Sequence, residues 1–471
     1  PMILADFLAS RSGAPAGREA FLLAFPGEIF YNGTRQKIRE VLSMASIHEH
    51  TLSNGMQLLC CPLPHLHSIE FGVYLRGGTL YENRQNQGIC HLLEHLCFRC
   101  LGGMSGGELT RALDRMGATL DGSTYPEGVV FRLRVLPRFF DDALTLLARL
   151  FSDIPWTEEA IREEKRVVLR QIEQEDADFD EEVARRYRRT AAGAFPLMGT
   201  KESVSALSPA VIRRWQRLLF QPQNACLCIS GNFSAAMEST AAETFGELLN
   251  HSPEPPFSQP TPLGFCMRDS RSDYVAEEEG GQAKVRIAFD IDEDRVYPLV
   301  GEVLSAITGE NDSSLLFQTL REEKALVAEI DSTIEEMGLF RRLVISYDVE
   351  QELLEESLTQ VFQLLRRLTQ YVRPVRLDQC RMLFTDNYLF YQDDAAAMNE
   401  LMGWSCLAED LARADLDAKA QMYEDLTCED LLDAAQCVFR PENLCISIQR
   451  DPTRTPKNLK PLLQRLRAML S

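Results

Sequence analysis

Apolar positions along this chain switch repeatedly between a period of two and a period near 3.6, as expected for strands mixed with helices. Residues 49–60 read as a strand, an Asn54-Gly55 hairpin turn and a second strand. Ser68–Leu75 predicts the next strand, closed by Gly77-Gly78. A helix follows through Cys90–Leu96, and another over Gly106–Met116 stops at Gly117. Thr119–Tyr125 and Gly128–Val135 predict paired strands on either side of Pro126. Pro137–Ile154 is helical, with apolar positions at Phe140, Ala143, Leu144, Leu147 and Leu150. Thr157 is placed to cap a long helix, with Glu158 and Glu159 at its positive N-terminal end.

The second half echoes this order. Strands are predicted over Ala283–Phe289, Ala325–Ile334 and Phe340–Tyr347, and helices over Tyr297–Thr308, Ser313–Glu322 and Leu353–Leu368. Between the halves, residues 252–262 carry five prolines and predict an extended linker. Hairpins in place of regular strand–helix–strand crossovers indicate an α+β class. The expected division is an N-terminal extension or appended segment at 1–43, a motif-bearing domain at 44–250, a linker region at 251–282 and a second, homologous domain without a metal motif at 283–471. Pro1 points to processing or an appended segment, and Met44 offers a native start.

Composition narrows the function. A length of 471 residues exceeds one ordinary core, and 45% hydrophobic with 25% charged residues is globular composition. A net charge of −21 argues against nucleic acid, whose phosphates it would repel, and chiefly reflects solubility. No apolar run approaches a membrane span, and no secretory signal opens the chain. Thirteen cysteines, an odd number with many in apolar runs, fit free core thiols and a reducing cytoplasm. Cys97 and Cys100 form a C-x-x-C, but a thiolate metal site there would need two more ligands, so core packing is the preferred reading. His65 and His67, in a proline-flanked turn, read as surface residues.

The chemistry concentrates in Cys90-His91-Leu92-Leu93-Glu94-His95-Leu96, an H-x-x-E-H. On a helix His91 and His95 are i and i+4, so both imidazoles leave one face, and Glu94 shares it. Two neutral imidazoles and a carboxylate supply two ligands and a base for a catalytic zinc. A third ligand remains to be found.

The run Gly88–Arg99 resembles the active-site helix of the pitrilysin/insulinase-like zinc peptidases, the group that includes mitochondrial processing peptidase. Leu113–Asp121 is similar to that family's next helix, turn and strand, and Ser313–Glu322 to a hallmark of its C-terminal half. The resemblance spans roughly residues 47–450. It implies two related α+β halves, mostly antiparallel sheet flanked by helices, facing each other as a clamshell, with an edge strand that pairs with bound peptide. It implies zinc ligation by His91 and His95, Glu94 as general base, and substrate-side roles for Asp121 and Arg321.

Two positions depart from the family. The third ligand, a glutamate in the family, falls on Gln171, whose neutral carbonyl oxygen should hold zinc more weakly. Glu164 and Glu175, seven residues before and four after Gln171, share its helical face; Glu164 matches a supporting glutamate of the family, and Glu175 would serve as an alternative ligand if the helix shifted by a turn. Ala328 stands where an Arg/Tyr pair needs its tyrosine, leaving Arg321 as half a clamp. The resemblance therefore implies a zinc-dependent endopeptidase of peptides or a leader or presequence, on the zinc side of a heterodimer whose homologous partner carries the Arg/Tyr pair. The alternative is a non-catalytic, peptide-binding or scaffold homologue.

Overall fold

The computed structural model describes residues 46–174, 179–189, 196–259, 273–336, 341–410, 414–456 and 458–471. The segment 1–43 and Glu175 lie outside them. In chain order the elements begin with strands β1 (His48–Thr51), β2 (Gln57–Pro62) and β3 (Ile69–Arg76). Helix α1 (Ile89–Arg99), the short strands β4 (Cys100–Leu101) and β5 (Met104–Ser105), and helix α2 (Gly106–Met116) follow. Strands β6 (Leu120–Thr124) and β7 (Gly128–Val135) lead to α3 (Phe140–Ala148), α4 (Glu158–Gln174), α5 (Phe179–Arg189), α6 (Lys201–Ala206) and α7 (Pro209–Leu219). Then come β8 (Ala225–Gly231), α8 (Ala235–Gly246), β9 (Tyr274–Glu277), β10 (Ala283–Ile291) and α9 (Pro298–Ser305). Strands β11 (Val327–Glu336) and β12 (Arg341–Val349) precede α10 (Leu354–Leu368), α11 (Pro374–Gln392) and α12 (Ala395–Leu407). The chain closes with α13 (Leu416–Asp425), α14 (Cys428–Val438), β13 (Leu444–Arg450) and α15 (Lys460–Met469).

The described residues divide into two compact units. One comprises Ser43–Leu263 with Thr385–Ala420; the other holds Gly264–Phe384 and Gln421–Ser471. The first is built on a six-stranded sheet in the order β1-β2-β8-β3-β7-β6, antiparallel except where β2 runs parallel to β8. The second carries a five-stranded sheet in the order β11-β12-β10-β13-β9, with β13 and β9 parallel. Both units are therefore mostly antiparallel sheet with flanking helices, the α+β architecture expected.

Boundaries follow local chemistry. Helix α2 runs from Gly106 to Met116 because Ser105 and Glu108 close a capping box at one end and Gly117, at φ +60°, turns the chain at the other. Asn54-Gly55 does turn β1 into β2, through a wider loop than two residues: Leu52 donates to Met56 O, and Gly55 takes φ +87°. Asn54 is drawn away to the carbonyls of Phe245 and Leu248, at 2.7 and 3.0 Å. Over the predicted helix at 313–322, the chain winds as a π-helix across Phe317–Glu323.

Strand β3 is buried along nearly its whole length, so both faces of the first sheet are covered. Leu58, Phe71, Val73, Phe131 and Leu133 pack in the core with Leu93 and Leu96 of α1 and Leu144 and Leu147 of α3. Helix α12, from far along the chain, also packs on β3 and β8. Its Asn399, fully buried, donates to Glu70 O and Cys228 O and accepts from the Tyr74 hydroxyl at 3.1 Å. Gly403 lies on the Tyr74 ring, where a methyl group would come within 2.2 Å of it.

Candidate functional site

Helix α1 buries Ile89, Leu92, Leu93 and Leu96 and turns the face of His91, Glu94 and His95 toward α4 and β6. Its start is fixed twice. Gly88, at φ +81°, sits where a Cβ would come within 2.3 Å of the Met198 carbonyl oxygen. The Glu82 carboxylate accepts from the amides of Gly88 (2.8 Å) and Cys90 (3.0 Å), filling the role of an N-cap. Glu82 is almost fully buried, and burial pushes its carboxyl up to about 7 against the pull of these amide bonds.

Helix α4 supplies the opposing wall. Thr157 Oγ1 accepts from the Ala160 amide at 3.1 Å, and Ile161, Glu164 and Val168 form the buried stripe. Glu164 and Gln171, two turns apart, both reach the motif. Glu164 Oε1 accepts from His95 Nδ1 at 3.0 Å, and Gln171 Oε1 lies 3.4 Å from His91 Nε2. Because a carboxylate only accepts, His95 carries its proton on Nδ1 when neutral and keeps the Nε2 lone pair for a ligand. This carboxylate–histidine pairing orients imidazoles in metal sites.

The edge strand β6 closes the third side. Residues 120, 122 and 124 share the face turned to α1. A Cβ on Gly122 would meet Phe98 and Glu94, and Thr124 Oγ1 donates to Glu94 Oε2 at 2.7 Å. Glu94 is 7% exposed, and its Oε2 lies 3.6 Å from His91 Nδ1. Burial works to raise the Glu94 carboxyl, but hydrogen bonds from His91 and Thr124, with the charge of the two histidines, leave it below its ordinary value. A cavity of ≈ 380 Å³ opens here, lined by Glu94, His95, Phe98, Arg99 and Glu164.

The structure thus brings together His91, Glu94, His95, Glu164 and Gln171. Asp121 is exposed, on the face of β6 opposite Thr124. Arg321 belongs to the second unit, exposed, with its guanidinium over the Phe317 ring. Cys97 is a buried free thiol whose acidity burial suppresses, and Cys100 is a half-buried one. Sequence reasoning missed Thr124 and Glu82. The two-residue period of β6 was the available signal for Thr124.

Among the described residues no three His, Cys, Asp or Glu side chains are grouped to hold a metal. Facing His91 is the Gln171 amide. The spacing still suits a metal: ligands about 2.1 Å from a tetrahedral zinc lie about 3.4 Å apart, the distance between His91 Nε2 and Gln171 Oε1. Imidazole nitrogen and amide oxygen are donor types that zinc accepts, and this one spacing is compatible with it, but a neutral donor set would leave its charge unneutralised.

This fold, with its H-x-x-E-H helix, is that of the insulinase-like peptidases. The model of the insulinase family, peptidase family M16, matches residues 64–200, and that of the M16 inactive domain matches 206–384. The chain belongs to peptidase family M16. It is 24% identical over 303 residues to a protein named uncharacterized zinc protease YmxG of Bacillus subtilis, covering 62% of this chain and 72% of that one. It is 26% identical over 225 residues to the mitochondrial-processing peptidase subunit beta of Blastocladiella emersonii, covering 46% of this chain and 48% of that one. A protease from Helicobacter pylori shares its fold with a TM-score of 0.75 at 19% identity, over 86% of this chain and all of the other. Among the described residues no helix is long and apolar enough to cross a membrane.

Proposed function

We propose that this chain is a zinc-dependent endopeptidase of peptides or of a leader or presequence, acting as the zinc-bearing subunit of a pair. The observation that carries the reading is the support retained around the motif: Glu164 on His95, Thr124 on Glu94 and Gln171 facing His91. In this reading His91 and His95 hold zinc through ring nitrogens and Gln171 through its amide oxygen. Bound zinc supplies polarisation of the scissile carbonyl and a lowered pKa for the attacking water. Glu94 takes a proton at Oε1, Oε2 being engaged by Thr124, and passes it to the leaving amine. Strand β6, at the edge of its sheet among the described strands, accepts the peptide as an added strand. A homologous partner would complete the Arg/Tyr clamp that Ala328 leaves open, which the subunit named in one relative supports.

Gln171 favours a second reading, a peptide-binding homologue without catalysis. Zinc analysis separates the two. The peptidase reading expects close to one zinc per chain with zinc supplied, and Gln171→Glu should tighten zinc by about tenfold or more, because the ligand gains a charge. Glu94→Gln should keep the metal and lower peptide cleavage by about 10²–10⁴-fold. Wild-type protein without zinc or cleavage, both appearing in Gln171→Glu, establishes the second reading instead.

A further inference from the structure

Away from the motif, an open cavity of ≈ 660 Å³ lies against α2 and the β4–β5 hairpin, lined by Gly103, Glu108, Arg111, Asp114, Arg115 and Arg149. Its volume is within the range of ligand sites. Three guanidinium groups in one concavity are unexpected on a chain of net charge −21. Arg111 and Arg115 are i and i+4 on α2, so they project from one side of it. Both are exposed, and among the described residues neither has a direct hydrogen bond or ion pair. The acid best placed to pair with Arg111, Glu108 three residues earlier, is held by the capping box: its Oε2 accepts from the Ser105 amide at 2.9 Å and the Ser105 hydroxyl at 2.7 Å. Arg149 spends one N–H on the Gly102 carbonyl at 3.2 Å, which fixes it at the cavity wall. Asp114 is the other carboxylate, so the lining carries three positive charges against two negative.

We propose that this cavity is a docking site for carboxylate side chains of an acidic peptide segment. The guanidinium fork of arginine matches a carboxylate in two parallel hydrogen bonds, and among the described residues Arg111 and Arg115 hold theirs unspent. Helix α2 lies in sequence between the motif helix α1 and the edge strand β6. An acidic anchor there would steer a peptide toward β6 while the acidic remainder of the surface repels it elsewhere. The inference deepens the peptide-processing reading by naming a substrate class, and it rests on that reading only for the view that the bound peptide is a substrate.

The test is fluorescence anisotropy on the full chain, freed of zinc, with a short fluorescein-labelled glutamate-rich peptide, its glutamine counterpart and its phosphoserine counterpart. The glutamate peptide should bind at least about tenfold more tightly than the glutamine peptide, and raised salt should erase the difference. Arg111→Ala with Arg115→Ala should abolish the preference, and Arg162→Ala, on an exposed position of α4, should leave it intact. Arg111→Gln alone, at an exposed helix position, should give a partial loss and serves if the double variant does not fold. Equal binding of the glutamate and glutamine peptides, or an undiminished preference in the double variant, overturns the proposal. Tight binding of the phosphoserine peptide without the glutamate peptide assigns the cavity to phosphoryl groups and overturns it too. Because binding is read without metal or cleavage, a chain that fails to take up zinc fails the peptidase reading alone.

Discussion

At the scale of single residues, the motif is held by neighbours that touch its atoms from outside. Gly122 is one of these. A methyl group there would come within 2.6 and 2.9 Å of the Phe98 ring and 3.1 Å of Glu94 Cγ. Gly122→Ala should therefore destabilise the first unit by about 1–3 kcal/mol, through a displaced Phe98. A thermal melt reads this directly; an unchanged midpoint would mean that Phe98 can turn aside. His91, Glu94 and His95 were legible in the sequence because helical spacing converts directly into a shared face, whereas Glu164 and Gln171, on another helix, were reached through the family resemblance. Glu82 was not legible, since it acts across a loop that no local period encodes; the period of β6 puts Thr124 on one face of the strand without saying that this face meets α1. The arginines of the α2 cavity were equally hidden: their meaning depends on Ser105 engaging Glu108, which only the folded geometry reveals.

At the scale of elements, the motif helix has a titratable cap. Ionised Glu82 is buried at the N-terminus of α1, with its carboxyl raised to about 7 by burial. The folded chain thus binds the Glu82 proton more tightly than the unfolded chain does, so this contribution is fully present below the ordinary glutamate range and lost as pH rises through about 7. Wild type should lose stability relative to Glu82→Gln between about pH 5 and about pH 8, by up to about 3 kcal/mol. Thermal melts of the two proteins across that range check it, and parallel curves would show that Glu82 stays ionised throughout. Most elements were legible, because caps and glycine stops mark their ends, as Ser105 and Gly117 do for α2. The π-helical winding at Phe317–Glu323 was not, since apolar spacing reports a buried face and does not count the residues in each turn.

At the scale of the whole molecule, the echo of elements between the two halves was readable as order along the chain, and each half has its own mostly antiparallel sheet. The placement of Thr385–Ala420 with the first unit was not readable. Ala395, Met398, Met402 and Leu407 of α12 are all buried, and such a helix announces burial without saying against what. Its contacts are specific once seen: Asn399 satisfies two sheet carbonyls, and Gly403 admits the Tyr74 ring. A chain ending at residue 263 should accordingly leave the α12 face of β3 and β8 bare. It should bind a hydrophobic dye or aggregate, and joining residues 385–420 to it through a flexible linker should restore a cooperative melt. A soluble, cooperative fragment without that segment would refute this account. The same arrangement fixes an order of events during synthesis. Residues that surround Glu94 leave the ribosome long before α12 does, so the sheet beneath them waits, half covered, while more than a hundred further residues are made. Completion of the first unit is thereby timed by the arrival of a late helix, and a chain that stopped short of it would carry the whole motif on a sheet still bare on one face.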